Sequence, residues 1–553
     1  MDKMVEVKFR NQDPKKYLEG TPLIEVSSTY QKYYNYPILV AMVGNDIAEL
    51  SDEIFDNCHV DFFDRSSAVG NNIYGRSLQF ILVLAIKRLF GKDQDILIEH
   101  SIDKGFYCEI PDFEIDKETL KNLEKAMKEI VKENLKFDKL SITRTDAIKY
   151  FTRHKQKDKV RVLNYISNSY VNIYRLDDIY DYYYGPLAFA TSQIDEFKLN
   201  YVNPRGFVVS YPSTSNPEYI LDYVHHEKIF DKFLEYTDWG RRMNVSKGCD
   251  LNDLTTTGKY GNLIRLAEAY FNMQLGQLTE EIYSKRKNIK VVLLAGPTSS
   301  GKTTTAKKLE LFLNARGVKT HHISIDDYFF GRDKTPKTKD GGYDFESIKA
   351  IDVNLFNRDL AKALSGKKVQ LPEYDFKAGK RIHRKRYLEV EPEDIIIVEG
   401  LHALNDDLTM TVERKYKFKI YVSPLTQINI DNHNWVHTTD VRKLRRIVRD
   451  NQYRNWNATD TLGMWDKIRQ SEEKYIFPFQ DDTDAVINSA LIYEIGVLKT
   501  FVEPLLFSVS EKDESYPEAL RLINLLRIFL PIPTDDIPQD SVLREFIGNS
   551  CFK

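Results

Sequence analysis

Cysteine is scarce: there are four in 553 residues, Cys58, Cys108, Cys249 and Cys551, with no C-x-x-C pair among them. Thiols so far apart suit neither a disulfide framework nor a structural zinc site, and they fit a reduced, cytoplasmic setting. Long apolar runs are missing as well. Stretches such as residues 80–86 fall far short of the roughly 18 residues a membrane span needs, and the opening MDKMVEVKFR has no apolar signal core. Charge of one sign is also absent. With a net charge of −3 and a pI near 6.5, no global basic character points to nucleic acid, though a local patch stays open. No internal repeat or low-complexity tract is seen. The chain is instead rich in core-forming residues, 42% apolar with 33 Tyr and 30 Phe, which excludes general disorder. Its length predicts about three or four domains.

The pattern changes along the chain. Residues 1–65 read as a small α/β unit, with Val5 to Phe9 alternating like a half-buried strand and residues 38–43 forming a second apolar run. Residues 66–215 carry an apolar helix over 77–90, a strand-like GFYCEI over 105–110 and a charged helix over 116–136. Leu120, Leu123, Met127 and Ile130 share one face of that charged helix. Residues 216–288 read as helical linker. Residues 289–505 alternate strand and helix patterns, which predicts an α/β fold with a doubly wound parallel sheet. Residues 506–553 form an extension with one helical patch and then a proline-broken PIPTDDIP.

The most specific stretch is Gly296-Pro-Thr-Ser-Ser-Gly301-Lys302-Thr303, a match to G-x-x-x-x-G-K-[ST]. It follows the aliphatic run IKVVLLA (residues 289–295). It precedes a helix-periodic segment with Ala306, Leu309 and Leu313, and Gly317 as a stop. Strand, glycine loop and helix in that order wrap backbone N–H groups around phosphates, with the helix N-terminus beneath. Gly296, Pro297, Thr298, Ser299, Ser300, Gly301, Lys302, Thr303 and Thr304 are the candidate nucleotide-binding residues. Lys302 would reach the outer phosphates and Thr303 would hold Mg²⁺. The chain is expected to bind a nucleoside triphosphate.

Three further features suit phosphoryl transfer. Asp326 and Asp327 end a short strand-like segment, where a carboxylate can accept a hydroxyl proton or help hold Mg²⁺. Glu399 ends the aliphatic run 395–398 just before Gly400, the form of a strand delivering a carboxylate to a metal. Arg442, Arg445, Arg446 and Arg449 lie at i, i+3, i+4 and i+7, followed by Arg454. One helix face could thus clamp a phosphoryl group.

Two resemblances follow from ordered motifs. Ile73-Tyr-Gly-Arg-Ser-Leu-Gln-Phe80, AIKRLF (residues 85–90) and SIDKGFYCEI (101–110) resemble the editing domain of threonyl-tRNA synthetase, and residues 1–65 would be its ubiquitin-like TGS domain. The family's His-x-x-x-His pair falls here on Arg76 and Phe80. Its Cys-x-x-x-His falls near Tyr183 and Leu187, beside Gly185-Pro186. None of these can build a His/Cys metal site, so the resemblance implies a surviving scaffold without the hydrolytic chemistry. Residues 289–495 resemble the uridine kinase and phosphoribulokinase family of P-loop kinases. The motifs are the phosphate loop, Asp326-Asp327-Tyr328-Phe329, Tyr343-Asp344, Pro372-Glu-Tyr374-Asp-Phe376, Glu399-Gly400 and Arg445-Arg446-x-x-Arg449-Asp450 with Arg454. The resemblance implies ATP and Mg²⁺, with Asp326 as general base toward a nucleoside 5′-hydroxyl and Asp344 on ribose hydroxyls. Tyr328, Tyr343, Tyr374 and Arg445 would bind substrate. Thr303, Asp326 and Glu399 would serve the metal, and Lys302, Arg449 and Arg454 the phosphates.

The departures leave the acceptor open. A histidine expected five residues after Tyr374 is Gly379, with His383 the nearest alternative, and residues 429–439 (NIDNHNWVHTT) look inserted before the arginine helix. Glycine offers no side chain to a base edge. Uridine or cytidine comes first, a sugar phosphate or other polyol second, and a nucleotide-gated RNA-binding regulator third. A homo-oligomer is compatible with all three.

Overall fold

The computed structural model describes residues 3–103, 105–337, 342–375, 378–382, 386–426 and 428–552. The first unit is a five-stranded sheet. Met4–Lys8 lies between Lys15–Leu18 and Cys58–Phe63, and Val40–Val43 and Asp46–Glu49 complete it on the far side. Strict alternation in Met4–Lys8 sends Val5 and Val7 inward, where they meet Val26 and Tyr30 of the helix Leu23–Tyr30.

The second unit is built on the helix Ala68–Phe90. Ser67 caps it by accepting from the Gly70 N–H, and residues 77–86 are buried on every face. This helix packs with a four-stranded antiparallel sheet and with helix Lys117–Glu133, whose Leu120, Leu123, Met127 and Ile130 are all buried. Asp116 caps that helix and Asn134, in the left-handed region, ends it. A three-stranded sheet, Asp138–Thr143, Tyr170–Leu176 and Ile179–Asp181, stands beside it.

The C-terminal half carries a five-stranded, all-parallel sheet in the order Thr320–Ser324, Ile395–Glu399, Val291–Ala295, Lys417–Ser423, Ala485–Asn488. Every residue of Val291–Ala295 and Ile395–Glu399 is buried, as strands covered on both faces must be. The helices read as linker belong to this core. Tyr260–Ser284 lies along the helix Lys302–Ala315, and Leu275 and Leu278 share one apolar cluster with Leu309 and Leu313. The C-terminal extension joins the same cluster through Leu522, Leu526, Phe529 and Val542. Among the described residues no helix is long and apolar enough to cross a membrane.

Candidate active site

Strand Val291–Ala295 delivers the phosphate loop at the carboxyl edge of the sheet. Gly296 is required by close approach, since a Cβ there would lie 1.9 Å from the Val422 carbonyl oxygen. Ser299 (φ 57°) and Gly301 (φ 78°) take left-handed backbone, and Gly301 caps the helix Lys302–Ala315. The Lys302 ammonium donates to the Pro297 carbonyl at 3.0 Å. Burial lowers its pKa, against the pull of Glu399, Asp326 and Glu545. The buried hydroxyls of Ser299 and Ser300 have no hydrogen-bond partner among the described residues, as suits a loop that serves an outside acceptor.

The two carboxylates at the end of Thr320–Ser324 part company. Asp327 accepts from the Tyr374 N–H at 3.3 Å and from Arg386 at 3.0 Å, which ties it to the neighbouring hairpin. Asp326 instead faces the cations. Burial raises its pKa, and Lys302, Arg454 and Arg449 oppose the rise. Glu399 accepts from the Ser324 hydroxyl at 2.9 Å; burial, then Asp326, push it up to about 7. Thr303 sits in the first turn of the phosphate-loop helix. No cluster of three or more His, Cys, Asp or Glu among the described residues is placed to hold a metal alone. A Mg²⁺ here would therefore draw part of its shell from phosphate oxygens and water, and Thr303, Asp326 and Glu399 fit that division.

The arginine helix, Thr438–Arg454, differs from the expected phosphoryl clamp. Three of its arginines are buried behind the loop rather than presented to it. Arg442 donates to the Thr298 carbonyl at 3.0 Å and pairs with Glu472. Arg446 donates to the Thr298 hydroxyl at 2.6 Å. Arg445, expected to touch substrate, is fully buried and spends its guanidinium on Glu494 at 2.6 Å and the carbonyls of Ser489 and Ser299. The helix face that meets the loop was legible; which side of the loop it takes was not. Arg449 and Arg454 remain at the mouth, held by Asp450. Arg449 beside it pushes Arg454 down to about 10, against the pull of Asp450 and Asp326.

The acceptor side is mixed. Tyr328 lies in the core, its ring 5.0 Å from Phe356, which removes it from any acceptor. Tyr374 is buried with its ring 5.6 Å from Phe329. Tyr343 is exposed and Asp344 half-buried, and the Asp344 N–H donates to the Pro336 carbonyl at 2.8 Å. Phe376 and His383 lie outside the described residues. Gly379 (φ 63°) is covered by Arg332, whose Nε would stand 2.3 Å from a Cβ there. An arginine thus occupies the space of the missing histidine, brought back from 47 positions earlier by a backbone bond from the Arg332 N–H to the Gly379 carbonyl.

In the N-terminal half, Arg76 donates to the Pro186 carbonyl at 2.7 Å and lies over Tyr184, while the rings of Phe80 and Tyr183 meet at 54° with centres 5.3 Å apart. The inserted loop packs into part of this cleft. Trp435 donates to the Ser101 hydroxyl at 3.0 Å and packs on Phe106, leaving a cavity of about 20 Å³ beside Arg76. His433 and Asp431 of the same loop join Lys159, Asp181 and Asp95 in a buried charge network.

Residues 291–495 match the Phosphoribulokinase / Uridine kinase family. A uridine kinase of Halobacterium salinarum is 26% identical over 196 residues, 35% of this chain and 77% of the relative. The N-terminal part is similar to threonine–tRNA ligases. That of Acetivibrio thermocellus is 26% identical over 201 residues, 35% of this chain. The chain spans about a third (31%) of that ligase's length. Two solved structures align at TM-scores too low to bear on the fold. A possible uridine kinase from Bacillus stearothermophilus gives 0.25 at 18% identity, over 36% of this chain and 89% of that one. A D-glycerate 3-kinase from Cryptococcus neoformans gives 0.21 at 16%, over 48% and 89%.

Proposed function

We propose that the chain is an ATP- and Mg²⁺-dependent kinase that phosphorylates the 5′-hydroxyl of a nucleoside, uridine or cytidine first. The observation that carries this reading is the gathering of Lys302, Arg449 and Arg454 beside Asp326 and Glu399 at the loop mouth. A site that gathers cations around the Asp326 carboxylate suits a polyphosphate donor and a hydroxyl acceptor together.

Thr303 and Glu399 would help hold Mg²⁺, which would neutralise the phosphate oxygens. Lys302 leaves the Pro297 carbonyl to meet the outer phosphates. Arg449 and Arg454 spread the developing negative charge. Asp326, made more basic by burial, accepts the acceptor hydroxyl proton at its carboxylate oxygen. Arg442, Arg445 and Arg446 hold the loop backbone in the shape those contacts need.

A second acceptor class has its own support. Arg332 over Gly379 puts a positive side chain where a neutral base reader was expected, which suits an anionic acceptor such as a sugar phosphate. ATP consumption by purified protein with Mg²⁺, against nucleosides, sugar phosphates and polyols, separates the two. Turnover with uridine or cytidine upholds the first reading. Turnover confined to phosphorylated sugars replaces it with the second, and no turnover with any hydroxyl acceptor refutes both.

A further inference from the structure

The C-terminal extension returns to the phosphate loop. Asp540 pairs with the buried Lys308 at 2.7 Å. Val542 presses on Gly301, where a Cβ would come within 2.4 Å of it. Phe546 lies beneath the Arg445 guanidinium, 4.9 Å from its ring centre. Between these anchors, Glu545 accepts from Thr304 twice, from the backbone N–H at 3.0 Å and from the hydroxyl at 2.8 Å.

The Thr304 N–H is one of the first-turn donors that have no partner within their own helix. In a phosphate loop such donors cradle the α- and β-phosphates. A carboxylate and a phosphate oxygen cannot both take this N–H, and two anions in contact repel. Resting on the reading of this loop as a nucleotide site, we propose that Glu545 is a built-in occupant of the phosphate position at Thr304, which nucleotide must displace. The moving part is the side chain alone. Val542, Leu543 and Phe546 are fully buried and keep the segment in place, while Glu545 is half-buried, so its freed carboxylate swings into water. Without nucleotide the loop would be held by its own anion and would hand the same donors to the ligand.

Calorimetric titration of MgATP into the full chain, wild type against Glu545→Gln, tests this. Glutamine keeps the length and removes the charge, and the Kd is expected to fall about tenfold, or about 1.4 kcal/mol. Thermal melts guard against a merely structural role. Removing the anion should lower the melting temperature without ligand yet enlarge the rise produced by saturating MgATP. An unchanged or raised Kd in Glu545→Gln, with wild type binding normally, overturns the proposal and leaves the nucleotide site standing. A melting temperature lowered equally with and without MgATP also overturns it, because Glu545 would then be a cap and not a competitor. If neither protein binds MgATP, the nucleotide reading itself falls and takes the proposal with it.

Discussion

The Asp327 carboxylate accepts from the Arg386 guanidinium at 3.0 Å. That contact commits Asp327 to the hairpin carrying Tyr374 and leaves its neighbour Asp326 as the carboxylate that answers to Lys302, Arg454 and Arg449. The two residues are adjacent and chemically identical, so their division of labour comes entirely from what is packed around each.

Asp326→Asn should therefore lower kcat by roughly 10²–10⁴, the range for losing a general base, with the Kd for MgATP nearly unchanged. Asp327→Asn should leave kcat closer to wild type and raise the acceptor KM, because Arg386 loses its carboxylate partner and the hairpin carrying Tyr374 loosens. Steady-state kinetics on both variants decide the matter. Equal losses of kcat would sink the assignment.

Arg445 gives a prediction about stability instead of substrate. Its partner Glu494 is almost fully buried, and removing one member of such a pair strands the other charge at a cost of about 3–5 kcal/mol. Arg445→Ala should lower the denaturation midpoint well before it changes acceptor KM. A variant of normal stability with a raised acceptor KM would return Arg445 to the acceptor pocket.

Much of this was legible in the sequence. Parallel strands buried on both faces read as aliphatic runs, so the sheet and the phosphate loop were plain, and helical spacing marked the buried face of Lys117–Glu133. What escaped depends on distant partners. Nothing near Asp327 announces Arg386, 59 positions on. Periodicity in the arginine helix defines a face but not that Glu472, Glu494 and the back of the loop would cover it. Glu545 lies in a proline-broken tail and meets Thr304 across 241 positions. Tyr328 follows the family's motif, yet its ring turns into the core.

His433 predicts a pH dependence. Burial would lower its pKa, but Asp181, with Asp95 on the other ring nitrogen, raises it to about 9, against the repulsion of Lys159. Asp431 and Asp158 complete the charges around this pocket. A folded pKa above the unfolded value of about 6.5 means the stabilisation is complete below about pH 6.5 and is lost as pH rises through about 9. Urea midpoints measured from pH 6 to 10 should fall across that window in wild type and fall less in His433→Gln. Parallel profiles would remove His433 as the cause.

Trp435 decides what the N-terminal half is for. Its ring packs into the cleft beside Arg76, and the arginine helix that grips Thr298 and Ser299 begins three residues later, at Thr438. The docked cleft therefore sets the starting point of the element that shapes the phosphate loop. Truncating a buried tryptophan costs about 3–5 kcal/mol, so Trp435→Ala should lower the melting temperature. It should also raise the Kd for MgATP, although Trp435 lies outside the loop, while Trp435→Phe should recover most of both. If Trp435→Ala melts early but binds MgATP as wild type does, the cleft and the loop are independent. If it gains a salt-sensitive affinity for tRNA in filter binding, the cleft is a nucleic-acid reader held shut by the chain's own loop.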